Sequence, residues 1–181
     1  MDSPALGTLD WRPALDRPDL LAAPVAAALA DAGPGWFVAP IDADLADTAA
    51  FCATYDVPLA ASANCVVVAG RRGEETTLAA CLVLATDRAD VNKVVRRHLD
   101  VRKISFAPME EAVSRTGMAH GGITPVGLPA DWPLLVDAGV AGAGWVVVGS
   151  GTRGGKLAVR GEDLARLPGA EVLALAVSAA G

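Results

Sequence analysis

Thiols and imidazoles are scarce in this chain of 181 residues, which holds three cysteines and two histidines. Cys52, Cys65 and Cys81 are odd in number and far apart, which argues against a disulfide framework, and no CxxC pair offers a thiolate zinc site. His98 and His120 stand in no HxxxH or carboxylate-histidine spacing, so zinc chemistry and a Ser-His-Asp triad both lack parts. We therefore expect no metal and no cofactor. Aromatic residues are also few: four tryptophans are joined only by Phe37, Phe51, Phe106 and Tyr55, so the core must be aliphatic. The longest Ala/Leu run, "LLAAPVAAALA", is too short and too Pro-broken to span a bilayer, and the acidic start "MDSPALGTLDWRPALDRPDL" has no basic n-region. The expectation is a cytoplasmic protein with no membrane partner, whose free thiols suit a reducing compartment. Positive charge is short too. A net charge of −6 excludes general affinity for long nucleic acid, which depends on cations displacing counterions, so any such contact must be local.

What is present suits a globular fold. The chain is 52% hydrophobic, long enough to bury a core without crosslinks, and free of repeats and low-complexity linkers, so a single domain over 1–181 is expected. Periodicity predicts helices near 19–32 and 45–55 with a strand at 35–41 between them, together an N-terminal extension over 1–56 packed on the rest. "NCVVVAG" and "TLAACLVLAT" read as buried strands joined by the polar turn "RRGEET", a hairpin. "DVNKVVRRHL" places Val91, Val94, Val95 and Leu99 at helical spacing. Across residues 88–103 six cations meet two carboxylates; the plain reading is a solvated face, and the alternative is a tRNA contact through Lys93, Arg96 and Arg97. "KISF" reads as a strand, "PMEEAVSRTG" as a helix, "WVVVGSG" and "KLAVR" as strands, and "GEDLARLPG" as a last helix. This order lacks regular βαβ alternation, so the fold class is α+β, with a mixed, barrel-like sheet flanked by helices. "GSGTRG" fits GxGxxG, but a strand pattern follows it where a dinucleotide site needs a helix, so it reads as a hairpin turn.

The stretch "HGGITPVGLP", residues 120–129, is the most unusual in the chain, with three glycines and two prolines. Gly121, Gly122 and Gly127 lack a Cβ and can set backbone N–H and C=O groups against a ligand, while Pro125 and Pro129 stiffen the loop. With its approach it reads "TGMAHGGITPVGLP", which resembles the loop of the YbaK/ProRS-associated aminoacyl-tRNA editing domains, in which "TG...GG(V/I)(S/T)P(F/I)G" recurs. "LATDRADVNKVVRRHL", "FAPMEEAVSRTG" and "PLLVDAGVAGAGWVVVGSGTRGGKLAVRGEDLARLPGAEV" are similar to further segments of the family in the same order, so the likeness covers about 57–176.

The resemblance implies an editing-domain fold and a hydrolase that deacylates mischarged tRNA, with the tRNA 3′ aminoacyl end as partner and a synthetase or a second copy of the chain as further candidates. The expected function is a free-standing trans-editing deacylase that cleaves the ester of a small mischarged amino acid. Gly121, Gly122 and Thr124 would face the ester, with Gly122 leaving open space for substrate and free N–H groups holding the oxyanion. Ile123, Pro125, Gly127 and His120 would surround the aminoacyl adenosine, His120 having a surface or packed side chain as its plain alternative. Asp137 matches the family's acidic position and would orient a hydroxyl or water, or else cap a helix. The chain departs from the family at Asn64, where editing members usually carry a lysine that engages the terminal phosphate. A neutral amide cannot supply that charge. The alternative is therefore a non-catalytic relative that binds an aminoacyl adenosine, a tRNA end or another small ligand.

Overall fold

The computed structural model describes residues 3–179. β1 (Arg12–Pro13) leads through two 3-10 turns to α1 (Ala23–Ala32), which has Pro24 in its first turn and ends at Gly33, whose φ of 77° suits glycine. β2 (Phe37–Pro40) follows, then α2 (Thr48–Tyr55), where the Asp47 carboxylate accepts the N–H groups of Ala49 and Ala50 as an N-cap. The expected hairpin is the longest pairing in the molecule: β3 (Ala63–Arg72) and β4 (Glu75–Leu84) run antiparallel in register down to Arg72 opposite Glu75, with Gly73 at φ 64° in the turn.

After β5 (Asp87–Ala89), the helix expected over 90–99 is only partly α-helical. Val94 and Val95 both donate to the Asp90 carbonyl, so Val91–Val95 forms a π turn and only α3 (Arg96–His98) is α-helical. β6 (Lys103–Phe106) lies where "KISF" put it. α4 (Met109–Thr116) starts after Pro108 and stops at Gly117, left-handed at φ 67°. The chain closes with β7 (Leu134–Asp137), α5 (Ala138–Ala141), β8 (Trp145–Gly149), β9 (Gly155–Arg160), α6 (Gly161–Leu164), β10 (Ala170–Leu173) and β11 (Ala176–Ser178). "GSGTRG" is the β8–β9 hairpin turn, as its flanking strand pattern implied. No helix among the described residues is long and apolar enough to cross a membrane.

The strands form separate sheets and not a closed barrel, which corrects the barrel-like expectation. One sheet is antiparallel in the order β1-β2-β9-β8, and the other is mixed, β10-β7-β4-β3-β6, with β7 parallel to both neighbours. β5 and β11 make a small ribbon. Closure fails because the free edge of β8 meets the larger sheet at a single bridge, Ser62 to Val147, before β3 gives its edges to β4 and β6. The space between the sheets is filled by aliphatic side chains, Val38, Val146, Val148, Leu157 and Val159 on one side and Ala80, Leu82, Leu134 and Val136 on the other. The outer face of the smaller sheet buries Phe51 and Trp11, and the outer face of the larger one buries Val95 and Leu175. Each fully buried Leu or Val contributes roughly 1.5–3 kcal/mol, so the aliphatic composition suffices for this core.

Residues 119–122 are docked on the β8–β9 turn. Ala119 N–H donates to the Gly151 carbonyl, Gly151 N–H to the Gly122 carbonyl, and Gly122 N–H to the Ala119 carbonyl, each at 2.8–2.9 Å. A Cβ on Gly122 would stand 2.5 Å from the Thr152 carbonyl oxygen, and one on Gly149 would stand 2.6 Å from the Gly122 oxygen. Gly122 is thus packed backbone to backbone, and leaves no open space for substrate. Gly122→Ala is expected to cost about 1–3 kcal/mol, the range for overpacking, read as a Tm several degrees lower. An unchanged Tm would show that the two turns part freely.

Beneath the larger sheet, burial pushes the Cys81 thiol up to about 12. The folded chain therefore keeps a proton that the unfolded chain releases above about 8.5, so this group's stabilisation is present at neutral pH and is lost as pH rises from there. Between pH 9 and 10.5 the loss is about 2 kcal/mol at roughly 1.4 kcal/mol per unit. Urea midpoints across that range should decline less steeply in Cys81→Ala than in wild type, and parallel slopes would contradict the burial effect.

Candidate functional site

A cavity of about 370 Å³ opens where the first half of β3, the start of α2, the start of α4 and the glycine loop meet. Ala63, Val67 and Ala112 give it apolar walls, and Phe106 and Met109, both largely exposed, also line it. Four of the residues singled out in the sequence reach it: Asn64, His120, Gly121 and Ile123. Thr48 Oγ1 donates to Asn64 Oδ1 at 2.6 Å, so the amide's carbonyl end is engaged and its NH₂ end has no partner among the described residues. His120 is exposed, with Nδ1 2.8 Å from Met109 Sδ, an arrangement that orients the ring without giving it a carboxylate.

The loop is shaped by its neighbours. Gly121 sits at φ 80°, a left-handed conformation suited to glycine, and the Arg153 guanidinium occupies the place a side chain would take. Arg153 spans from the His120 carbonyl, at 3.2 Å, to the Ala43 carbonyl, at 2.8 Å, and clamps the loop to the N-terminal segment. The N–H groups of Gly121 and Ile123 have no acceptor among the described residues, although both residues line the cavity. Gly122 between them donates its N–H to Ala119 within the loop and accepts the Gly151 N–H at its C=O, which corrects its expected place at the ester.

The other expected residues lie elsewhere. Thr124 is fully buried, with an unpartnered Oγ1, and is not part of the cavity wall. Pro125 and Gly127 border a second cavity of about 550 Å³ beside Trp36 and Trp132, and Gly127, at φ 76°, abuts the Pro24 carbonyl. Asp137 is a structural cap. Its oxygens accept the N–H groups of Gly139, Leu175 and Ala176 at 2.7–2.9 Å, which ties α5 to the chain before β11 and leaves the carboxylate outside the cavity. Lys93, Arg96 and Arg97 are exposed, and their helical segment packs through Val95 against the face of β4 that carries Ala79, Cys81 and Val83. Ala80 and Leu82 of the same strand face the core between the sheets, so the basic segment and that core lie on opposite faces. His98 Nε2 meets the Glu171 carboxylate at 3.0 Å.

A charged residue of the cavity that the sequence did not single out is Lys156. Lys156, in β9, is 7% exposed and contributes to the lining. Its Nζ donates to the Ala46 carbonyl at 2.9 Å and stands 5.0 Å from the centroid of the Phe51 ring. Burial is the main influence on its pKa and lowers it; Cys52 and Asp47 pull the other way, and Arg153 adds to the lowering. The available signal was a lysine opening the run "KLAVR", whose next three residues are all buried. Alternation places Ala158 on the same face as Lys156, against Phe51, so that face had to be covered. Cys65, also in the wall, has its thiol pushed up by burial, which keeps it protonated and a poor nucleophile.

The geometry agrees with comparisons to known proteins. Residues 42–167 match the model of the aminoacyl-tRNA editing domain. A solved structure described as a candidate trans-editing enzyme for prolyl tRNA synthetase is 25% identical and superposes with a TM-score of 0.72, covering 87% of this chain and 97% of its own. Two others share the fold: hypothetical protein APE2540, 21% identical with a TM-score of 0.75 over 85% of this chain and 99% of its own, and a scaffold used for grafting linear epitopes, 23% identical with a TM-score of 0.73 over 87% and 97%. A cavity bounded by the glycine loop, on a fold shared with these structures and with most of the chain matched, means that the protein belongs to the aminoacyl-tRNA editing domain family.

Proposed function

We propose that the protein is a trans-acting deacylase that hydrolyses the ester joining a small mischarged amino acid to the 3′-terminal ribose of tRNA. The observation that carries this reading is that Gly121 and Ile123, whose N–H groups have no acceptor among the described residues, both line one cavity. Donors held in place without a protein acceptor suit an oxygen that gains charge during reaction. In this scheme a water attacks the ester carbonyl, the carbonyl oxygen becomes an oxyanion between the two N–H groups, and the ribose hydroxyl leaves with a proton. The amino acid departs as a free acid. No side chain is needed as nucleophile, in keeping with the protonated Cys65. Ala63, Val67 and Ala112 would receive a short apolar side chain. Phe106, 68% exposed at the cavity, offers a ring face on which the terminal adenine can stack.

The neutral Asn64 favours a second reading, a binding protein for aminoacyl-adenosine ends that does not hydrolyse them. A deacylation screen over tRNAs mischarged with small amino acids separates the two. We expect at least one substrate to be cleaved well above its spontaneous rate. Gly121→Val should lower that rate about 100-fold or more, the effect of losing one oxyanion donor, because valine at φ 80° must displace both the backbone and Arg153. Phe106→Ala should raise KM with little change in kcat. If no charged tRNA is cleaved while a non-hydrolysable aminoacyl adenosine still binds, the binding reading replaces the enzyme.

A further inference from the structure

The Lys156 side chain is buried with a single hydrogen-bond acceptor. A buried lysine ordinarily meets a carboxylate or shifts to its neutral form, because desolvation of an isolated charge is costly. Lys156 Nζ has three donors and one acceptor, the Ala46 carbonyl, and no carboxylate lies within ion-pair distance of it among the described residues. Asp47, the carboxylate that influences it, already accepts two N–H groups as the α2 cap. The Phe51 ring adds a cation–π contact, which compensates only part of the lost hydration. A methionine would fill the same volume at no electrostatic cost.

Other cations do not compete for that role. Lys156 is the one lysine or arginine lining the cavity among the described residues. Arg153 is committed to two backbone carbonyls, and Arg72 is paired with Asp100 at the far end of β3. The basic segment of Lys93, Arg96 and Arg97 lies away from the cavity. The wall thus offers one ammonium together with the free N–H groups of Gly121 and Ile123 and the free NH₂ of Asn64. Asp47 also lines the wall, with a carboxylate oxygen turned to the N–H groups of Ala49 and Ala50, and against the donors the fitting ligand is an anion flanked by hydrogen-bond acceptors.

We propose that Lys156 is the anion anchor of this cavity, binding the phosphate of a nucleotide whose ribose carries the acyl group. The proposal rests on the deacylase reading for the identity of that nucleotide: in an aminoacylated tRNA end, the phosphate leading into the terminal adenosine is the nearest anion to the ester. The charge absent at Asn64 is then supplied from β9 in the other sheet. Phosphate also completes the coordination that the ammonium lacks, so ligand binding relieves the cost of burying it.

Two probes test this, a non-hydrolysable 3′-alanylamido-adenosine and the same compound bearing a 5′-phosphate, with affinities measured by calorimetry on the intact protein. Wild type is expected to bind the phosphorylated probe about tenfold to a hundredfold more tightly. In Lys156→Met that preference should vanish while affinity for the unphosphorylated probe stays within about twofold. Lys156→Arg should keep part of the preference. Tm values of both variants report folding, and removal of a buried charge is expected to leave Lys156→Met at least as stable as wild type. A full phosphate preference in folded Lys156→Met overturns the anchor and leaves the deacylase reading standing. If wild type binds neither probe but binds inorganic phosphate in a Lys156-dependent manner by NMR titration, the anion site stands and the tRNA reading falls. Binding of none of the three overturns both.

Discussion

Two turns that lack side chains at their contact hold this site together. The glycine loop and the β8–β9 turn meet through Gly122, Gly149 and Gly151, close enough that a Cβ on Gly122 or Gly149 would collide with backbone oxygen. Close approach lets each backbone satisfy the other, through the Ala119–Gly151 and Gly151–Gly122 hydrogen bonds. It also divides the loop's labour. Gly122 gives its C=O to the contact and its N–H to Ala119 within the loop, and among the described residues the N–H groups of its cavity-lining neighbours Gly121 and Ile123 have no acceptor. A loop anchored only at its ends would have to order itself around each ligand; this one is held before the ligand arrives. Arg153 extends the anchorage by joining the His120 carbonyl to that of Ala43.

The same turn leads into β9 and so sets Lys156 opposite the loop's neighbours. Burial of an ammonium under one carbonyl and one aromatic ring is a poor arrangement for stability and a good one for anion binding, because a desolvated charge interacts strongly with whatever reaches it. Asn64 is compatible with this. Held by Thr48, it presents an NH₂ group and no charge, so the cavity carries one ammonium and not two in repulsion. The electrostatic character of the cavity therefore depends on both sheets, although neither strand alone shows it.

Much of the fold could be read locally. The β3–β4 hairpin follows from two apolar runs around a glycine turn, α4 from Pro108 at its start and Gly117 at its end, and the β8–β9 turn from a strand pattern where a nucleotide site would need a helix. The barrel did not form because closure is a question of which strand edges meet, and among the described residues one bridge at Ser62 joins them. Similarly, Val91, Val94 and Val95 have helical spacing, yet spacing does not reveal that the Asp90 carbonyl accepts at i+4 and at i+5.

The sequence by itself determined the aliphatic core, the succession of elements, the glycine loop and its resemblance to an editing family, since each depends on short-range pattern and composition. Tertiary structure alone decided which loop residues serve the cavity. Asn64, His120, Gly121 and Ile123 converge there, whereas Gly122 went to packing, Thr124 to the interior, Pro125 and Gly127 to a second cavity and Asp137 to a cap. It also decided that Lys156, nearly a hundred positions from Asn64, shares a wall with it. The physical reason is that a polar group's role is set by what occupies its remaining hydrogen bonds, and those partners come from segments remote in the chain.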